Sequence, residues 1–173
     1  LQTYPQLVLD WRRDTARLNV VQEQIDIGVR IDHLADSRLI ARKIGETCEK
    51  IVMAPDLLRR LGKPEDFADL QKNYPLAAVL NHNNGRADTW YINENLQFTP
   101  AKPHFVGSHI HNALQAALAG NAVSQQLDWM VAPYLLNGEL VELFAEVPKI
   151  RWPVSIYRPQ RVVTPMRVKV VFD

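Results

Sequence analysis

The 173-residue chain is 47% hydrophobic and 23% charged, the balance of an ordinary globular protein with a sizeable core. Twenty basic and nineteen acidic side chains leave a formal charge of +1, which excludes a surface built to coat nucleic acid. The longest apolar run is too short for a membrane span, and the lone Cys48 excludes a disulfide framework.

The opening "LQTYPQLVLDW" has neither the basic start nor the apolar length of a signal peptide. A cytoplasmic location is therefore expected, although one cysteine also permits a periplasmic one. The first residue is Leu and no entry signal precedes the first apolar run, so the sequence reads as a piece of a longer polypeptide.

In chain order, "QLVLDW" (6–11) reads as a strand and "TARLNVVQEQ" (15–24) as a helix with Leu18, Val21 and Ile25 on one stripe. "IDIGVRID" (25–32) alternates. Ile25, Ile27, Val29 and Ile31 fall on one side, and Asp26, Gly28, Arg30 and Asp32 on the other. That pattern predicts a strand over 25–31 with one buried face. Strand, helix and strand together form the unit of a parallel sheet. "RLIARKIG" and "EKIVMAP" add two extended runs.

Asp56 is the predicted cap of "LLRRL" and Gly62 its stop, while Pro64 is predicted to open "EDFADLQK". "PLAAVL", "TWYIN", "LQFT" and "HFVG" read as strands, with "NHNNG" (81–85) as a turn. Ser108 is the predicted N-cap of "HIHNALQAALA", which ends at Gly120. "LDWMVAPYLLN" is a helix interrupted at Pro133 and closed by Gly138; "ELVELF" and "VSIY" are strands. In "TPMRVKVVFD" the valines favour a strand, but Thr164–Pro165 is a helix-opening pair, and the segment is predicted helical. The fold class is α/β, better suited to two lobes joined by crossing strands than to one continuous sheet.

Three runs, "YPQLVLDW", "IDIGVRIDHLADSRLIARKIG" and "IVMAPDLLRRLGKPEDFADL", together resemble the effector-binding domain of LysR-type transcriptional regulators. The family pattern there is a Tyr-Pro strand, a D-L-A-I-R strand, an S-S-L-x-A-R-x-L-G segment and a V-x-A-S-P-x-Y-L strand and helix. "NALQAALAG", "LDWMVAPYLLNGELVELF" and "WPVSIYRP" look like the second-lobe helix, the W-x-V-A-P-x-L-x-x-G-x-L-V segment and the return strand. Order and spacing make the resemblance specific, and it covers nearly the whole chain. It departs at "AGNAVSQ" (119–125), where the family often reads A-G-L-G-I-A, and at Gln125 and Gln126, where the family is commonly apolar.

The resemblance implies two Rossmann-like lobes joined by crossing hinge strands, like the type 2 periplasmic solute-binding proteins. Residues 1–50 with 156–173 would be lobe one and 51–155 lobe two, with a small molecule bound in the interlobe cleft. The first strand and helix of that domain would precede Leu1. The intact bacterial protein would bind DNA through a missing N-terminal helix-turn-helix, form a homodimer or tetramer, and have RNA polymerase as a further partner. No cofactor and no membrane contact are implied. The alternative is a periplasmic solute-binding protein of a transporter, which shares the fold; a helix-turn-helix pattern upstream of Leu1 would separate the two.

Ligands of open α/β sheets sit beyond the carboxyl ends of strands, near helix N-termini. Arg12 and Arg13 follow the strand over 6–11 and form either a solvated turn or a bidentate grip on a carboxylate. Asp32 and His33 end the opening strand at the rim, where His33 is also a natural solvated loop residue. Asn81 ends a strand and could face the cleft. Ser108 and His109 stand at a helix start whose free N–H groups can hold an anion. The "HIH" at 109–111 does not make a metal site, because residues two apart on a helix point about 200° from one another.

Enzyme signatures are missing. The chain has no G-x-S-x-G elbow, no phosphate-binding glycine loop and no H-E-x-x-H, so a binding module is expected. The effector is expected to be a small anion held between Arg12 and the Ser108 helix start. Self-association is expected from the apolar content of the helices over 15–24 and 109–119.

Overall fold

The computed structural model describes residues 3–12, 24–32, 39–81, 84–160 and 163–172. Contacts divide the chain into two units, Leu1–Glu46 with Trp152–Asp173, and Thr47–Arg151.

In the first unit, β1 (Gly28–Ile31) pairs antiparallel with β11 (Trp152–Pro159), and β2 (Leu39–Thr47) completes a sheet of order β1-β11-β2. Gly28 stands opposite Tyr157, and a Cβ at Gly28 would collide with the Tyr157 ring. The glycine in the alternating segment is therefore a seat for an aromatic ring. The strand starts at Gly28 rather than Ile25, and its partner is antiparallel, not the parallel neighbour that a helical crossover would deliver. Val29 is 53% exposed, while Ile25, Ile27 and Ile31 are half-buried like Asp26 and Arg30, so burial does not alternate and the predicted buried face is not formed. On the polar side, Asp26 pairs with Arg167 at 3.1 Å.

"QLVLDW" forms no strand. Leu7 N–H closes a turn onto the Tyr4 carbonyl, and Val8 and Trp11 are 90% and 71% exposed. A strand needs a ladder neighbour, and none pairs with it among the described residues. The helix expected over 15–24 lies outside the described residues except for Gln24. The predicted C-terminal helix is present as α5 (Met166–Phe172), which buries Val168 and Phe172. Arg42 and Arg158 lie 5.9 and 5.0 Å from the Phe172 ring centroid, and Arg42 donates to its carbonyl at 2.6 Å. The valines lose to the Thr164–Pro165 start because Val168 and Phe172 are four apart, one helical face.

The second unit is built on β3 (Glu49–Met53), β4 (Leu76–Asn81), β5 (Arg86–Ala87), β8 (Phe105–Gly107), β9 (Val123–Leu127) and β10 (Val141–Leu143). The order is β10-β3-β9-β4-β5, with β8 also on β4. β4 runs parallel to both β8 and β9, while β3 runs antiparallel to β9 and β10. β6 (Trp90–Asn93) and β7 (Leu96–Phe98) form a separate hairpin.

Successive strand residues point to opposite faces, and here both faces are covered. Ile51 and Met53 join Leu70, Trp90, Val123 and Phe98 on one side. Val52 joins Leu114, Ala117, Met130, Val131 and Leu140 on the other. Double coverage explains the unbroken apolar run "IVM", each member stabilising the fold by about 1.5–3 kcal/mol on burial.

α1 (Pro55–Leu61) is capped by Ala54, not Asp56. Pro55 at the first helical position needs no N–H partner, and this moves Asp56 into the first turn, where it pairs with Arg59 and Arg60. Gly62 takes φ 81° and donates to the Leu58 carbonyl, the predicted stop. α2 (Phe67–Asn73) opens at Asp66 rather than Pro64, because the Asp66 carboxylate accepts from Asp69 N–H at 2.8 Å. α4 (Asp128–Leu136) runs unbroken through Pro133, where an interruption was expected, and Gly138 follows its end with φ 78°. Across the predicted turn at 81–85, whose residues 82 and 83 lie outside the described residues, Gly85 N–H donates to the Asn81 carbonyl at 2.8 Å, and the chain returns as β5.

Candidate functional site

Because β4, β8 and β9 run parallel, their carboxyl ends leave the second unit's sheet at one edge. That edge gathers Asn81 at the end of β4, Ser108 and His109 after β8, Gln126 near the end of β9 and Asp128 just beyond it. It is where open α/β sheets present polar groups and helix starts to a ligand.

α3 runs Ile110–Leu118, and its N-cap is His109, one residue beyond the predicted Ser108. Asn112 decides the matter. Its Oδ1 accepts from His109 N–H at 3.2 Å, and its own N–H donates to the His109 carbonyl at 2.9 Å. Gly107 lets this closure happen, since a Cβ there would meet Asn112 Cβ. Ser108 thus stands exposed just ahead of the cap. The outer face of α3 presents His111, Asn112 and Gln115 to solvent, while Ala113, Leu114 and Ala117 are buried. This helix has one apolar face, not two, so it does not supply the surplus apolar surface expected of it.

Beneath the start of α3 lies Gln126, fully buried. Its Nε2 donates to the Ile110 carbonyl at 3.2 Å and to Ser124 Oγ at 2.7 Å. Its Oε1 has no hydrogen-bond partner among the described residues, an omission that costs about 1–3 kcal/mol. Gln125 faces the other way and donates to the Tyr91 carbonyl at 2.8 Å. The two glutamines that break the family's apolar pattern are thus buried and bonded to backbone. Sequence reading flagged them but could not assign their partners.

Asp128 opens α4 and accepts from Thr47 Oγ1 at 2.6 Å, Trp129 N–H at 2.8 Å and Cys48 Sγ at 3.5 Å. Burial pushes its carboxyl up, but these hydrogen bonds together carry it below the ordinary carboxylate value. The same neighbourhood, burial first and then the Asp128 charge, raises the Cys48 thiol; a buried thiol kept protonated is unreactive. Nearby, Glu142 takes Lys50 at 2.5 Å and Lys149 at 2.8 Å. Its burial is likewise outweighed by those two bonds, so its pKa is lowered. Sequence reasoning missed both clusters because their members lie far apart in the chain.

Asn81 Nδ2 donates to Asp88 Oδ1 at 2.7 Å, tying down the 81–85 hairpin. In the first unit, Arg12 Nε and Nη2 reach Asp10 Oδ2 at 3.1 and 2.9 Å. Asp32 follows β1 with φ 139°, a strained value for a residue with a side chain, and its N–H donates to the Pro153 carbonyl. Arg13 and His33 lie outside the described residues. Among the described residues no three His, Cys, Asp or Glu side chains come together to hold a metal ion, and no helix is long and apolar enough to cross a membrane.

The family model described as the LysR substrate binding domain matches residues 1–173. The HTH-type transcriptional regulator CrgA of Neisseria meningitidis is 26% identical over 147 residues, 84% of this chain and 48% of the relative. The chain spans about half the length of the curated relatives it matches. Among solved structures, the CrgA regulatory domain superposes with a TM-score of 0.83 at 22% identity, covering 99% of this chain and 84% of that one. The regulatory domain of AphB from Vibrio vulnificus gives 0.79 at 21%, covering 98% and 83%. These likenesses carry the two-lobed periplasmic-binding-protein-like α/β fold.

Proposed function

The chain belongs to the LysR substrate-binding domain family, and from that premise we infer that it is the ligand-sensing, non-catalytic part of a DNA-binding transcription factor. The carrying observation is the family match along the whole of residues 1–173. The naming of its relatives as HTH-type transcriptional regulators favours this reading over a transporter's solute-binding protein. DNA would be bound by a helix-turn-helix outside this chain, in the cytoplasm, by a homodimer or tetramer that engages RNA polymerase. Residues 1–50 with 156–173 and residues 51–155 are the proposed lobes.

The proposed effector is a small anion, an organic carboxylate foremost. Ser108 and His109 support this, because α3 has no acidic residue in its first turn and its N-terminal dipole is left for an outside negative charge. Arg12 is the proposed counter-charge and would exchange its Asp10 partner for the effector. Asp32, Asn81, Arg13 and His33 complete the proposed set. An effector that binds one conformation of the domain more tightly than the other would shift the transcription factor towards that conformation.

The test is calorimetric titration of an effector identified by its effect on DNA binding of the intact protein. Ser108→Ala should weaken effector binding by about 0.5–1.5 kcal/mol and Arg12→Ala by about 1.5–3 kcal/mol. His111→Ala should leave it unchanged. Wild-type affinity in both Ser108→Ala and Arg12→Ala would remove the anion site from this edge.

A further inference from the structure

The start of α3 rests on a polar group whose hydrogen bonding is incomplete. Gln126, the penultimate residue of β9, is fully buried and shares a sheet face with Ser124 two residues back. A carboxamide has two N–H donors and an oxygen with two lone pairs. Both donors are used: Nε2 reaches the Ile110 carbonyl in the first turn of α3 at 3.2 Å and Ser124 Oγ at 2.7 Å. The Ile110 carbonyl can only accept, so it fixes which end of the amide faces it. Turning the group over would set two oxygens against each other. Oε1 is therefore the buried atom without a partner among the described residues.

An apolar side chain at 126 would fill the same place without a desolvated oxygen. A buried acceptor kept in spite of that penalty calls for a donor from outside the chain. The amide is fastened to the first turn of α3, a nine-residue helix that begins without an acid. The missing donor and the attraction for negative charge thus fall at one helix start. A single small molecule meets both needs if it carries a carboxylate and a hydrogen-bond donor side by side.

We propose that Gln126 is a specificity-determining residue of the effector site, its Oε1 accepting from a hydroxyl or ammonium group on the carbon next to the effector's carboxylate. The assignment rests on an anionic effector at the α3 start and narrows it to a 2-hydroxy or 2-amino acid. Oε1 is closed to solvent in the ligand-free chain, and the donor reaches it as the half-buried Ile110 side chain turns aside. Rotamer changes of this size are common on binding. A site that hydrogen-bonds such a donor discriminates against the analogue lacking it.

Calorimetric titration of the full chain with lactate, free alanine and propanoate tests this, because the three share one carbon skeleton and differ beside the carboxylate. Lactate or alanine should bind at least about tenfold more tightly than propanoate, the tighter of the two identifying the donor. Gln126→Leu and Gln126→Met should bring that acid down to the affinity of propanoate, with propanoate itself unchanged. Both variants should melt, ligand-free, at or above the wild-type temperature. A purely structural Gln126 would move all three acids together, and that result overturns the proposal. Absence of saturable heat for both lactate and alanine up to about 10 mM overturns it too. Equal affinity of the three acids for the wild type, weakened alike by Ser108→Ala, overturns the role of Gln126 and leaves the anion site standing. Tight lactate or alanine binding that Ser108→Ala leaves untouched overturns instead the anion site at the α3 start on which the assignment rests.

Discussion

Two helices start from the same edge of the Thr47–Arg151 sheet, and they treat their positive ends in opposite ways. α4 begins with its own carboxylate: Asp128 accepts from Thr47, Trp129 and Cys48 and neutralises the helix start from within. α3 begins with His109 closed by an uncharged carboxamide and has no acid in its first turn. A helix N-terminus carries roughly half a positive charge. At α4 that charge is answered by the protein; at α3 it is left to whatever binds. The contrast separates a helix start that anchors structure from one suited to reception.

The comparison breaks most severely at Asp128. Asp128→Ala leaves the Thr47 hydroxyl, 1% exposed, without its acceptor, and urea denaturation should show a loss of about 2 kcal/mol. Acid should do the same reversibly. The folded carboxyls of Asp128 and Glu142 lie below their ordinary values of 3.8 and 4.5. Each therefore contributes stability that is complete above its ordinary value and is lost as pH falls through the lower folded one. Below about pH 4.5 the wild type should lose stability more steeply than an Asp128→Asn, Glu142→Gln double variant. Parallel acid limbs would contradict this.

At α3 the effects are smaller. Asn112→Ala removes the side chain that closes the cap and should cost about 1 kcal/mol in thermal denaturation. His111→Asp gives α3 the acid that α4 already has. It should raise stability by about 0.3–1 kcal/mol at low salt while weakening the proposed anionic effector. If it strengthens the effector instead, the two helix starts are not alternatives. Ser108→Ala sits outside the cap and should change stability by less than about 0.5 kcal/mol.

Local chemistry made much of this readable in the sequence. Gly62, Gly120 and Gly138 stop their helices with positive φ, and the runs "IVM" in β3 and "LAAVL" in β4 are apolar because both sheet faces are covered. The caps slipped where two neighbours compete. Pro55 displaced Asp56, and Asn112 chose His109 over Ser108, a decision made three residues downstream of the cap. "QLVLDW" has strand composition, yet composition cannot provide a ladder partner.

For the site, sheet topology explains why Asn81, Ser108 and His109 share an edge, and the strand ends had already pointed there. Gln126 stood out as a departure but its partners did not, and the Asp128 cluster was invisible because Thr47 meets Asp128 across most of a unit, a contact that no spacing rule encodes. The orphan Gln126 carbonyl depends on the approach of Ile110 in three dimensions.

The ring of Tyr157 seated on Gly28 has a consequence for how this sequence can change over time. Any side chain at 28 collides with the ring, so substitutions at the two positions cannot be accepted in either order. Tyr157 must first give way to a small residue, and only then does position 28 open to alanine or serine. The reverse order passes through an overpacked intermediate, costing typically 1–3 kcal/mol. The pair is thus a ratchet in sequence space: while the tyrosine stays, the glycine is locked.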